Sequence, residues 1–366
     1  MFFFWLYITL ITQLIWQLIN KNAAKKLKMR IQSFVLLLFF SVSCLAQVSV
    51  GPRHQGRAKK FDKGVLEKFK NTETIFILSE TLDRYQSLKI LEDSWDVTPY
   101  QLVHIGDFDP EKYLNEKYSF AKLGGFLRTS SLGKGSYTTL FTYIDFIMYD
   151  NEAILKKQKK LSPKRWEKKR MDILEENELK IARIYIFPKS DFIHTTMSKS
   201  MDETFVSMYV DDVFYNYKPG FLKNYFQKVN SLIRDEKVYW MYGSDYEEEL
   251  QNLATRKLYI PSYLSVKYNA WIARDGEEDE ENIEDVFKKY DYPYEIIDDT
   301  ELSERIMNNE ELYYIRYVRM NAEKFLQIVN SKNGEIVYRD YIPGFGYRIK
   351  SSHIKDLNRD IARAAK

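Results

Sequence analysis

The sequence predicts an α/β chain of two tandem lobes, each an open mixed sheet with helices packed on it in a shared β-α-β-α-β-β-α order. Three observations predict it. Short β-branched and aromatic runs alternate with segments of helical period. Two short motifs recur in the same order in both halves. The only cysteine is Cys44, so nothing after it can form a disulfide and the fold rests on burial.

In the first half, Thr74–Leu78 is an apolar run fit for a buried strand. Leu82, Tyr85, Leu88, Leu91 and Trp95 follow at helical spacing and give that helix one apolar face. Thr98-Pro99 stops it, because the residue before proline avoids the α region. Tyr100–Ile105 reads as a second strand, and Asp109-Pro110 starts a short helix. Longer strands are expected at Tyr137–Tyr149 and Ile181–Phe187, with a charged helical insertion at 151–180 between them. After Pro219-Gly220, the residues Phe221, Leu222, Tyr225, Phe226, Val229, Leu232 and Ile233 mark an amphipathic helix.

The second half repeats the theme. Leu258–Ile260 is a strand, Ile283, Val286, Phe287 and Tyr290 carry a helix, Tyr294–Ile297 is a strand and Thr300–Met307 a short helix. Leu312–Arg319 pairs with Phe325–Val329, and Asn333-Gly334 turns the chain into Glu335–Tyr338. Ile354, Leu357 and Ile361 carry the last helix.

Trp95-Asp96-Val97-Thr98-Pro99-Tyr100 parallels Tyr290-Asp291-Tyr292-Pro293-Tyr294, one residue shorter. Tyr217-Lys218-Pro219-Gly220-Phe221 parallels Tyr341-Ile342-Pro343-Gly344-Phe345, each ahead of a last helix. The pattern predicts an internal duplication.

At the N-terminus, Met29-Arg30-Ile31-Gln32-Ser33, the apolar run Phe34–Phe40 and Ser43-Cys44-Leu45-Ala46 have the layout of a secretory signal, with cleavage after Ala46. Its apolar run is too short to span a bilayer, which needs about 20 residues. Met1–Asn20 is long enough, and has two readings: a spurious extension ahead of the true start at Met29, or a transmembrane segment followed by a cytoplasmic basic cluster. Cys44 would be the acylated residue of a lipoprotein, but Ser41-Val42-Ser43 lacks the leucine usual three residues before such a cysteine. The expected organisation is 1–28 extension or transmembrane segment, 29–46 signal peptide, 47–71 extended leader, 72–236 first lobe and 237–366 second lobe. The expected location is the periplasm or cell surface.

The element order resembles tandem thioredoxin-like domains. Ser79-Glu80-Thr81 stands where thioredoxins carry Cys-x-x-Cys, so the resemblance implies a fold without redox activity. In style, signal included, the chain is similar to the many uncharacterised exported proteins of Bacteroidota, a resemblance that implies no activity.

The net charge of +3 misleads. Residues 1–46 hold five basic side chains and no acidic one, which leaves 50 basic against 52 acidic in the rest. No global field favours nucleic acid. The 28 tyrosines fit half-buried β surface, or a sugar- or peptide-binding face.

No residue pattern fixes a chemistry. Gly133-Lys134-Gly135-Ser136 lacks the first glycine of a phosphate-binding loop and precedes a strand, so it reads as a plain loop. Asp275–Glu281 is acidic but lacks the alternation that aims oxygens at one cation. Asp107, Asp109 and Glu111 are accounted for by helix capping. His54, His104, His194 and His353 have no ligand or catalytic spacing. No cofactor or metal is expected.

The insertion is the most unusual segment. Lys156, Lys157, Lys159, Lys160, Lys164, Arg165, Lys168, Lys169 and Arg170 surround Trp166, with Glu167 the only acid among them. Such a segment suits an anionic surface. The plainer account is a solubilising helix whose cations are answered by Asp172, Glu175, Glu176 and Glu178. The expected function is non-catalytic: an exported protein that binds a ligand or an envelope partner between its lobes. The alternatives are an extracellular hydrolase using a carboxylate pair, which folding alone would bring together, and an envelope-associated structural protein.

Overall fold

The computed structural model describes residues 47–366 except 133–134, 197–199, 267, 270–273, 276–282, 321–322 and 345–347. The signal, Cys44, most of the acidic run 275–281 and Gly133-Lys134 lie outside the described residues, as does Phe345 of the second Tyr-x-Pro-Gly-Phe motif.

The first half contributes β1 (Val48–Val50), α1 (Val65–Lys70), β2 (Glu73–Ile77), α2 (Arg84–Ser94), β3 (Tyr100–Leu102), β4 (Tyr118–Leu132) and β5 (Gly135–Tyr149). It continues with α3 (Asn151–Gln158), α4 (Pro163–Glu176), β6 (Glu178–Tyr185), α5 (Ser190–Thr195), α6 (Met201–Val210) and α7 (Pro219–Arg234). The second half holds β7 (Asp245–Tyr246), β8 (Leu258–Pro261), the small hairpin β9 (Tyr268–Asn269) and β10 (Arg274–Asp275), and α8 (Ile283–Phe287). Then come β11 (Tyr294–Ile297), α9 (Asp299–Met307), β12 (Tyr313–Met320), β13 (Glu323–Asn330), β14 (Ile336–Pro343) and α10 (Ser351–Ala364).

The chain is mixed α/β with two six-stranded mixed sheets. Their strand orders are β3-β2-β4-β5-β6-β1 and β11-β8-β12-β13-β14-β7, position for position the same. In each, the second strand is parallel to both its neighbours, and the remaining pairs are antiparallel. The local motifs therefore sit on a repeated topology.

Two corrections to the expected element order follow. The first half has three consecutive antiparallel strands, β4, β5 and β6, rather than the two expected, because β4 is a long strand paired with β5 from Phe120↔Ile147 to Leu132↔Gly135. Gly124-Gly125 and the polar stretch after Leu127 interrupt its apolar pattern, as glycines in a strand do where another group approaches closely. A side chain at Gly124 would meet the Tyr143 ring at 2.5 Å, and one at Gly125 the Phe141 carbonyl at 2.9 Å. The leader is also not merely extended. Val48–Val50 pairs antiparallel with Ile184–Ala182 as the sheet's edge strand, and α1 closes the leader.

The described residues form one compact unit, and α7 is its seam. Its predicted apolar residues are all buried, but so are Lys223, Asn224, Lys228 and Asn230, so this amphipathic helix is enclosed on its polar side as well. It lies between α2 and α9. A Cβ at Gly220 would stand 2.6 Å from the Ser303 carbonyl, so α7 and α9 cross at backbone contact. Each buried polar side chain of α7 has a partner. Lys223 donates to Ile306 O and to Asn309, Asn224 to Ser331 O, Lys228 to Glu335 and Asn230 to Asp96. The first four of these partners belong to the second half, while Asp96, and Asp93 at 3.7 Å from Lys223, belong to the first, so the helix ties both halves together. Elsewhere the sheets meet directly, with the Tyr185 ring stacked on Phe325 at 6.0 Å.

Candidate functional site

A cleft of about 610 Å³ opens between the halves, beyond the carboxyl ends of β2 and β8. In open α/β sheets that end of the strands is where loops diverge and ligands bind. Thr81 and Leu82 follow β2 on one side; Ser262, Tyr263 and Val266 follow β8 on the other. These are equivalent places in the two sheets. Thr81 belongs to the Ser79-Glu80-Thr81 segment that stands in place of a Cys-x-x-Cys pair.

The cleft floor is aromatic. Phe214, Tyr215, Tyr217 and Tyr263 line it, with Tyr215 stacked on Tyr263 at 6.0 Å. The deep tyrosines are held by backbone partners: the Tyr217 hydroxyl accepts from Ser79 N, and the Tyr263 hydroxyl donates to Tyr317 O. Burial raises both phenols above their ordinary range, so they stay neutral. Asp211, Asp212, Asp299 and Glu304 supply carboxylates, against Lys189 and Lys218.

Most of this charge has a local task. Lys189 pairs with Asp212 at 2.8 Å. Asp299 Oδ1 accepts from Ser262 Oγ and Tyr263 N, both at 3.1 Å, which fixes the loop after β8 to the first turn of α9. Burial raises the Asp299 carboxyl above its usual range, against two hydrogen bonds that favour its ionised form.

The paired Tyr-x-Pro-Gly-Phe motifs do not meet here. Tyr217, Lys218 and Pro219 line the cleft, with Pro219 opening α7 as helix-initiating prolines do. The second copy stands elsewhere: Pro343 ends β14, and α10 starts only at Ser351. Tyr341 packs on Phe325 and Tyr242.

The basic insertion is a two-helix hairpin, α3 and α4. Trp166 is turned inward, a correction to its expected place on the contact face. It is 7% exposed and donates its indole N–H to Glu111 Oε1 at 3.0 Å. Arg170 reaches the same carboxylate at 3.4 Å, and Lys157 pairs with Glu176. Glu178 is drawn to Lys122 on the sheet. The remaining cations, Lys156, Lys159, Lys160, Lys164, Arg165, Lys168 and Lys169, are exposed.

Other candidates resolve into structure. Asp109 caps a 3-10 turn through Glu111 N. His104 Nε2 lies 2.9 Å from Glu80 Oε1, and His353 Nδ1 accepts from Lys350 N at the start of α10. The side chain of His194 lies outside the described residues. Among the described residues no group of His, Cys, Asp and Glu could hold a metal ion. Also among them, no helix is long and apolar enough to cross a membrane.

His54 is buried against the first sheet beside a charged pair. Arg183 donates to both carboxylate oxygens of Asp145, its cross-strand partner, at 2.6 and 2.5 Å. Its guanidinium stacks 3.5 Å from the Tyr143 ring centre. Burial alone would push the Asp145 carboxyl up; the Arg183 guanidinium outweighs it and holds Asp145 below the usual range. Gly124 makes the space that Tyr143 fills. The buried pair has no opening to a ligand: both side chains are 4% exposed.

The cleft's residues come from five separate segments with no shared spacing, so no sequence pattern could have assembled them. Comparison with protein-family models, with curated proteins and with solved structures finds no match for this chain.

Proposed function

We propose that the protein is an exported, non-catalytic binding protein that holds a small polar ligand, a glycan fragment or short peptide, in the cleft between its halves. The observation that carries this reading is the cleft itself: about 610 Å³, within the size range of small-molecule sites, with loops from equivalent strand ends on its two walls. Its aromatic floor offers flat faces for sugar rings or side chains. Its four carboxylates against two amines favour neutral or cationic ligands over anions. The signal-like segment 29–46 supports export.

Asp299 is the one carboxyl that favours the hydrolase alternative, since a raised pKa in a cleft marks acid–base candidates. Its two hydrogen bonds to the β8 loop already account for its position, and Asp212 is engaged by Lys189.

A thermal-shift screen of the purified protein against glycans, peptides, nucleotides and divalent ions tests the reading. A ligand at a hundred times its Kd adds about 2.7 kcal/mol, which raises Tm by about 4 °C for a chain of this size. A glycan or peptide hit supports it. Hydrolysis of the hit, abolished in Asp299→Asn, would replace it with the hydrolase, and a flat screen would move the role to a protein partner.

A further inference from the structure

We infer that the α3–α4 hairpin is a docking surface for an anionic lipid bilayer. The plainer account of its charge, that the following acids neutralise it, holds for one pair only. Of the four acids, Glu176 pairs with Lys157 and Glu178 is taken by Lys122. No ion pair joins Asp172 or Glu175 to the hairpin cations among the described residues.

What is left is a presented surface. Lys156, Lys159 and Lys160 occupy the end of α3 and the turn; Lys164, Arg165, Lys168 and Lys169 run along the outer side of α4. The inner side of α4 is fixed by buried Trp166, Ile173 and Leu174 and by the contacts of Trp166 and Arg170 with Glu111. The cations are thus carried on a braced element and need no ordering on contact.

Two further features select a bilayer. Six of these seven cations are lysines, point charges suited to a diffuse negative surface, whereas planar two-pronged recognition of a defined acidic group favours arginine. Exposed apolar side chains stand among them: Met171, 62% exposed, lies one turn from Lys168 and two from Lys164, and Leu155, 41% exposed, lies one turn before Lys159. Such residues can enter the headgroup region while the lysines remain at its surface.

The test is co-sedimentation of the full mature protein with vesicles of 30% phosphatidylglycerol in phosphatidylcholine, against pure phosphatidylcholine. Each basic residue near an anionic surface contributes about fivefold to partitioning. The K159Q/K160Q/K164Q/R165Q variant is expected to lose at least about fiftyfold with its Tm unchanged, since those side chains are exposed and hold no ion pair in the described structure. L155S/M171S is expected to weaken vesicle binding several-fold and leave retention on a heparin column unchanged. The inference is overturned if the wild type binds both vesicle types equally at low salt or if the lysine variant binds undiminished. It is also overturned if L155S/M171S leaves vesicle binding intact, which would make the surface a site for soluble polyanions.

Discussion

The guanidinium of Arg316 lies 4.1 Å from the centre of the Tyr225 ring, with both side chains fully buried at the junction of the two halves. Arg316 belongs to β12 and Tyr225 to α7. Arg316 donates through Nε and Nη2 to Gln327 Oε1, a neutral acceptor, and the Tyr225 ring face adds a cation–π contact. The Tyr225 hydroxyl accepts from Gln47 and Asn216. Gln47, the residue expected to begin the mature chain, is thereby built into the junction.

A buried charge stabilised this way is replaceable but not separable from its partners. Arg316→Met, which removes the charge and keeps the length, is expected to lie within about 1.5 kcal/mol of wild type or to be more stable. Tyr225→Leu leaves the charge buried without its ring and two donors without their acceptor, and is expected to cost about 3 kcal/mol or more. Urea unfolding of the two variants checks the contrast; equal losses would contradict it.

The pair on the first sheet obeys the same logic with a true counter-ion. Asp145→Asn strands Arg183 in the interior and is expected to cost about 3–5 kcal/mol. The double variant Asp145→Leu with Arg183→Met is expected to recover most of that loss, measured as the unfolding midpoint in urea.

Gly220→Ala decides how tightly the halves are joined. Alanine favours helix by up to about 1 kcal/mol, but its methyl group would sit 2.6 Å from a backbone oxygen and 2.8 Å from Ile306 Cβ. Overpacking at backbone contact wins, with an expected net loss of about 1–3 kcal/mol. Calorimetry should show a lowered Tm; an unchanged or raised one would mean α7 and α9 can separate freely.

His54 predicts an acid sensitivity. Burial lowers its imidazole from 6.5 to about 3, the nearby Asp145 opposing and Arg183 reinforcing. The unfolded chain therefore binds a proton that the folded one refuses, and the stability is full above pH 6.5 and lost as pH falls towards 3. The slope is about 1.4 kcal/mol per pH unit in that window. His54→Phe should flatten stability between pH 6 and 4 relative to wild type, as read from urea midpoints; parallel profiles would exclude His54 as the cause.

Where the sequence pattern was local, it was legible. The apolar run Thr74–Leu78, the helix from Leu82 to Trp95 and the hairpin at Asn333-Gly334 each follow from short-range rules. The Trp95–Tyr100 and Tyr290–Tyr294 motifs lead into equivalent strands, β3 and β11, of a repeated sheet order, whereas the two Tyr-x-Pro-Gly-Phe copies do not take equivalent places. What escaped depended on tertiary partners. Lys223, Asn224, Lys228 and Asn230 look like the wet face of α7 and become buried only because each meets a fitted polar partner. β4 was hidden by the glycines that admit Tyr143, and Trp166 looked like a surface residue until Glu111 came into reach. The cleft was invisible for the same reason: Thr81, Asp211, Ser262 and Asp299 converge only in the fold.

Thr300 lines the cleft from the exposed side of α9, so Thr300→Trp fills the space without disturbing the core. The most direct measurement is the ligand-induced rise in Tm for wild type and Thr300→Trp side by side, using the strongest ligand of the screen. The cleft reading predicts a rise of about 4 °C in wild type and none in the variant, whose ligand-free Tm stays within about 2 °C of wild type. An equal rise in both proteins would place the ligand elsewhere and contradict it.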